Sequence, residues 1–128
     1  MTGPGCGRTV LIVEDDADTR LALAEVLEDV NYRPLHADNG AAALRELRAA
    51  TTAPCVILLD VMMPIMDGKT FRAEQQKDPA LSEIPVVVLS AHADLDSAAE
   101  QMQAAGFLRK PVELSALLAT VAQFCVQE

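Results

Sequence analysis

The stretch whose reading decides the fold is Cys55-Val-Ile-Leu-Leu-Asp-Val-Met-Met-Pro-Ile-Met-Asp-Gly68. Cys55–Leu59 is an uninterrupted apolar run, too short for a helix and without polar alternation. Such a run predicts a strand covered on both faces, as in a parallel sheet flanked by helices. It stops at a carboxylate, Asp60, and the residues after it carry Pro64 and Gly68, which do not continue a strand.

The pattern upstream is built the same way. Val10–Val13 is a short run rich in β-branched residues, and it ends in Glu14-Asp15-Asp16. Leu23, Val26, Leu27 and Val30 then recur at helical spacing. Tyr32–Ala37 is a weaker strand candidate, and Asp38-Asn39-Gly40 marks a turn or helix start. Ala43, Leu44 and Leu47 give the next helix a narrow apolar face, which Thr51-Thr52-Ala53-Pro54 ends. Downstream, a polar helix is expected from about Lys69 to Lys77, stopped by Asp78-Pro79. Pro85 introduces a second buried strand, Val86–Leu89. Leu95, Ala98, Ala99 and Met102 repeat the helical spacing, and Gly106 suits a helix stop. Phe107-Leu108 is a short strand, and Leu114, Leu117, Leu118 and Val121 share one face of a last helix.

Strand and helix thus alternate five times with short connections, which implies an α/β fold: a doubly wound, five-stranded parallel sheet with helices on both faces. A length of 128 residues fits one domain, expected over residues 8–128 after a flexible lead-in at 1–7. The net charge of −9 argues against direct nucleic-acid contact, because such a surface would not displace counterions from DNA. Neither a signal peptide nor a membrane-length apolar segment is visible, so a cytoplasmic protein without a membrane anchor is expected. Cys6, Cys55 and Cys125 lack close pairing and metal-type spacing, and read as free thiols rather than a disulfide.

The chemistry lies in where the polar residues fall. Glu14, Asp15 and Asp16 follow the first strand, and Asp60 follows the third. Ser90 and Lys110 end the fourth and fifth strands. In open α/β sheets, ligands bind beyond the carboxyl ends of the strands, where the strand order reverses. Clustered carboxylates repel one another, and a divalent cation relieves that cost. Mg²⁺ suits the arrangement because it takes one or two carboxylates and keeps other positions for water and phosphate oxygens. A carboxylate, a metal, a hydroxyl and an ammonium form a coherent set for phosphoryl transfer to Asp60. Asp16 or Asp18 is read as a helix N-cap rather than a ligand, and His36 as an ordinary strand residue. Met62, Met63 and Met66 are flexible apolar filler in the loop after Asp60.

Together VLIVEDD (10–16), VILLDVMMPIMDG (56–68), VVVLSA (86–91) and FLRKP (107–111) resemble the receiver domain of response regulators in two-component signalling, of the chemotaxis-regulator type. The resemblance covers essentially the whole chain and implies a flavodoxin-like (βα)5 fold with strand order 2-1-3-4-5. It makes Asp60 the phosphoryl acceptor, with Ser90 and Lys110 assisting. The implied Mg²⁺ (or Mn²⁺) site is formed by Glu14, acting through water, with Asp15, Asp60 and the backbone carbonyl of Met62 as direct ligands. Ser90 and Phe107 take the switch hydroxyl and switch aromatic positions, and Pro111 would follow a cis peptide bond. His92 reads first as an exposed loop histidine, although it falls where, with Met62, the family tunes the lifetime of the phosphoryl group. The implied partners are a histidine kinase or phosphotransfer protein, and a downstream protein target or fused output domain. The face formed by the fourth helix, fifth strand and fifth helix would be read by that target, with the domain a monomer or a phosphorylation-linked dimer. The chain departs from the family's common pattern at Glu14, usually Asp; at Gln103-Ala104-Ala105, often Gly-Ala-Asp; and at Phe107, which lacks a tyrosine hydroxyl.

Three other functions compete with a signalling switch. A phosphatase or phosphomutase acting through an aspartyl phosphate would place a second acid two residues after the nucleophile, where this chain has Met62. A passive interaction module would not need the pocket residues that are present. A flavodoxin-like electron carrier would need a phosphate cradle and aromatic stackers that the loops lack.

Overall fold

Five parallel strands form one sheet in the order β2-β1-β3-β4-β5. The structure, a computed structural model, describes residues 8–50, 53–60, 68–90 and 104–125. The strands are β1 (Thr9–Val13), β2 (Arg33–Ala37), β3 (Val56–Asp60), β4 (Val86–Ser90) and β5 (Gly106–Arg109). The helices are α1 (Ala17–Asp29), α2 (Gly40–Ala49), α3 (Gly68–Lys77) and α4 (Leu114–Phe124), the last being the fifth helix that the sequence predicts. The helix expected around Leu95–Met102 and the lead-in at 1–7, with Cys6, lie outside the described residues.

The apolar runs are buried because the sheet is covered on both sides. Every residue of β3 and of β4 is buried. Alternate side chains go to opposite faces, as the pleat requires. Leu11, Val13, Ile57 and Leu59 pack with Ala43, Leu47 and Phe71 under α2 and α3. Val10, Ile12, Val56 and Leu58 pack with Leu23, Leu27, Leu117 and Val121 under α1 and α4. Each fully buried Leu, Ile or Val contributes roughly 1.5–3 kcal/mol of transfer free energy. Burial on both faces explains why the central strands show no polar alternation. The edge strand β2 is only partly covered, and Pro34 lies within it. A proline has no N–H for the ladder, so it suits an edge and blunts further strand pairing there.

Local chemistry sets the helix ends. Asn39 caps α2, its side-chain oxygen accepting from the Ala42 N–H at 2.8 Å. After α1 the chain turns through Asn31, whose φ of 72° is left-handed. That turn lets the Tyr32 N–H reach the Leu27 carbonyl at 3.0 Å. Helix α3 is polar in sequence, yet Gln75 on it is fully buried. Its amide nitrogen donates to the carbonyls of Leu81 and Ile84, and Arg72 donates to its oxygen at 2.8 Å. Gln75 thereby ties the segment between α3 and β4 to the helix.

Two expectations are corrected. Gly106 is the first residue of β5, where it pairs with Val87, rather than a helix stop. Cys55 and Cys125, read as free thiols, form a disulfide with a Cα–Cα separation of 5.2 Å. The parallel sheet brings the start of β3 beside the end of α4, a proximity that 70 residues of separation conceal. Among the described residues, no helix is long and apolar enough to cross a membrane.

Candidate functional site

Strand order reverses between β1 and β3, because β2 lies to one side of β1 while β3 and β4 continue on the other. The carboxyl ends of β1 and β3 therefore open onto one crevice. The register of the β1–β3 pair ends on Val13 opposite Leu59, so the next residues, Glu14 and Asp60, emerge together. Carboxylate oxygens of Glu14, Asp15 and Asp60 lie within 4.8 Å of one another. Glu14 and Asp60 are buried, whereas Asp15 is exposed at the rim.

Lys110 reaches this group from the end of β5. Its ammonium stands 3.3 Å from Asp60 Oδ2 and makes a close ion pair with Glu14 Oε1. Its backbone N–H donates to the Ser90 carbonyl at 3.1 Å, which fixes the end of β5 against β4. The Lys110–Pro111 peptide is cis. Ser90 is buried at the end of β4, in the same row of strand ends. Phe107 lies one strand further out on β5 and is 44% exposed. Met62 and His92 lie outside the described residues.

The electrostatics follow from three carboxylates facing one ammonium. Burial raises the Glu14 pKa above the usual carboxylate value, and Asp60 adds to the rise, against the lowering pull of Lys110. Burial alone would lower the Lys110 pKa, but the hydrogen bond to Glu14 and the charges of Asp60 and Glu14 outweigh it and raise it. With its carboxylates ionised, the group carries an uncompensated negative charge. An all-oxygen donor set with this charge fits a small hard divalent cation, and fits Mg²⁺ or Mn²⁺ better than a soft, thiolate-seeking metal.

The loop leading into α1 is held from several sides. The Glu14 N–H donates to the Ala37 carbonyl at 3.0 Å, and the Asp16 N–H to Glu14 Oε2 at 3.3 Å. Asp16 stands at the N-cap position of α1, with its carboxylate accepting the Thr19 hydroxyl. That hydrogen bond is the largest cause of its lowered pKa. Arg20 Nη1 donates to the Glu14 carbonyl at 2.7 Å. The sequence reading missed Arg20, which looks like an ordinary solvated helix residue. The available signal was its position, one turn into the helix that opens directly after the acidic run.

Comparison with known proteins agrees with this geometry. The family described as "Response regulator receiver domain" matches residues 10–122. The chain is 36% identical over 115 residues to the DNA-binding transcriptional regulator NtrC of Escherichia coli K12, covering 88% of this chain and 24% of that protein. It therefore spans about a quarter of that relative's length. The crystal structure of a putative response regulator from Chloroflexus aurantiacus superposes with a TM-score of 0.85 at 28% identity, covering 94% of this chain and 99% of the other. The Mn(2+)-bound form of response regulator Rcp1 superposes with a TM-score of 0.73 at 29% identity, covering 91% and 90%.

Proposed function

The chain belongs to the response regulator receiver domain family, and from that premise we propose that it is a switch set by phosphorylation of Asp60. The observation that carries this reading is the grouping of Asp60 with Glu14, Asp15 and the Lys110 ammonium at the strand-order reversal. In the transfer, a carboxylate oxygen of Asp60 attacks the phosphorus of a phosphohistidine on a kinase or phosphotransfer protein. The new O–P bond forms as the P–N bond breaks, and the leaving imidazole takes up a proton. Lys110 neutralises charge on the transferring oxygens, and the Ser90 hydroxyl donates to one of them. Glu14, Asp15, Asp60 and the Met62 carbonyl are the residues that would hold Mg²⁺, with Mn²⁺ as an alternative. When bound, the cation supplies charge neutralisation and orients the phosphoryl oxygens.

The change is read through Ser90 and Phe107. Phosphorylation of Asp60 gives the buried Ser90 hydroxyl an anionic acceptor, and the exposed Phe107 ring turns inward as the hydroxyl moves. A protein target or a fused output domain then binds the altered face around β5 and α4. Nucleic-acid contact, as the name of NtrC states for that regulator, would come from another domain, because this chain carries a net charge of −9.

Intact mass after incubation with acetyl phosphate tests the reading. One phosphoryl adduct is expected on wild type with Mg²⁺, and none with chelator or on Asp60→Asn. A folded, metal-binding wild type that takes no adduct would sink it.

A further inference from the structure

The peptide plane joining Glu14 to Asp15 is set by a side chain outside the acidic group. Asp15 is exposed, and no hydrogen bond to its carboxylate is found among the described residues. Its carboxylate is therefore placed by its backbone, which means by the orientation of the peptide that precedes it. The carbonyl of that peptide is Glu14 O, and Arg20 Nη1 holds it at 2.7 Å. Arg20 itself is anchored in α1, where its N–H donates to the Asp16 carbonyl at 2.9 Å. One residue thus spans the acidic turn from the helix side.

A second observation says that the guanidinium is committed to this place. Arg20 Nε is buried without a hydrogen-bond partner. An arginine free to swing into water would hydrate that donor, so retaining it inside is costly. Arg20 and the end of β2, at His36, Ala37 and Asp38, line the same shallow depression. Glu14 N–H is bonded to Ala37 in the same place, so both polar groups of the Glu14 backbone are fixed. Three consecutive acids, Glu14-Asp15-Asp16, repel one another and would otherwise open the turn.

We propose that Arg20 is a positioning residue for the divalent-cation site: by gripping the Glu14 carbonyl it aims the Asp15 carboxylate at the metal. The inference rests on the proposed function, since it assumes that the acidic group binds a cation. Residues that orient metal ligands typically change affinity by roughly 10–100-fold when removed.

The test is Mn²⁺ binding to the full chain, followed by electron paramagnetic resonance, for wild type, Arg20→Ala and Arg20→Lys. Urea unfolding in chelator and acetyl phosphate labelling over a Mg²⁺ titration accompany it. Arg20→Ala is expected to weaken Mn²⁺ about tenfold. The Mg²⁺ concentration that gives half-maximal labelling should rise by a similar factor, because the cation is held less tightly. Arg20→Lys keeps one donor and should recover most of the affinity. Unchanged Mn²⁺ affinity in a folded Arg20→Ala overturns the positioning role alone. Affinity that falls equally in both variants, in step with lost stability in chelator, overturns it in favour of a structural role. A wild type that binds no Mn²⁺ overturns the proposed function and this inference with it.

Discussion

Glu14 is buried and faces a second carboxylate, Asp60, with one ammonium between them. Its pKa lies above the ordinary 4.5, chiefly through burial. The folded state then keeps a proton at pH values where the unfolded chain has released it. The contribution of Glu14 to stability in chelator therefore falls as pH rises from 4.5 through the raised value, and stays lower above it. Glu14→Gln should flatten that dependence and leave the metal-free domain more stable at neutral pH, on the order of 1 kcal/mol. Urea midpoints measured in chelator from pH 4 to 8 check this; a variant with the wild-type slope would contradict it. The raised Lys110 pKa has no effect in that range, because its contribution is lost only as pH climbs above the ordinary 10.5. At this scale the sequence was informative where a polar residue ended an apolar run, as at Glu14, Asp60, Ser90 and Lys110. It was silent on Arg20, whose role depends on a backbone carbonyl that no residue pattern displays.

Elements were legible wherever burial imposed a period, and less so where a single side chain made the boundary. The strands β1, β3 and β4 could be read because two-sided burial removes polar residues from them. Helix α3 was expected to be polar, but nothing in its composition marks Gln75 as the residue that faces inward to take two loop carbonyls. Gly106 looked like a helix stop because glycine commonly serves as one; it lies in β5 instead. The end of α1 shows the reverse case, with Asn31 in the left-handed conformation that glycine usually occupies. Asn31→Gly should keep or slightly raise stability. Asn31→Ala should lose about 1 kcal/mol, since a Cβ without a local polar partner is disfavoured there. Thermal unfolding of the two variants distinguishes the outcomes, and equal melting temperatures would show that the turn relaxes.

For the whole molecule, the alternation of the two buried clusters across the sheet was implicit in the pattern of short apolar runs between amphipathic helices. The link between Cys55 and Cys125 was not, because neither residue carries a sign of which other cysteine lies near it. The bond closes a loop of 70 residues. A loop of that size corresponds to about 4 kcal/mol of lost unfolded-state freedom. In the reduced form the Cys55 thiol can donate to the Thr9 carbonyl, 3.3 Å away, which offsets part of the loss. Reduction, or Cys55→Ser with Cys125→Ser, should therefore lower stability by roughly 2–4 kcal/mol and the melting temperature by about 10 °C. Calorimetry with and without reductant measures it, and an unchanged midpoint would mean that the bridge contributes nothing to the folded state in solution.

The same bridge makes the chain a lasso as well as a thread. Asp60, Ser90 and Lys110 all lie within the ring that it closes, while Glu14 and Asp15 lie on the free arm that precedes it. A protease that severs one peptide bond inside the ring leaves a single covalent molecule of nearly unchanged mass. Only a reducing agent then parts it into two pieces; if the cut falls before Lys110, one keeps the acidic pair and the other carries the lysine.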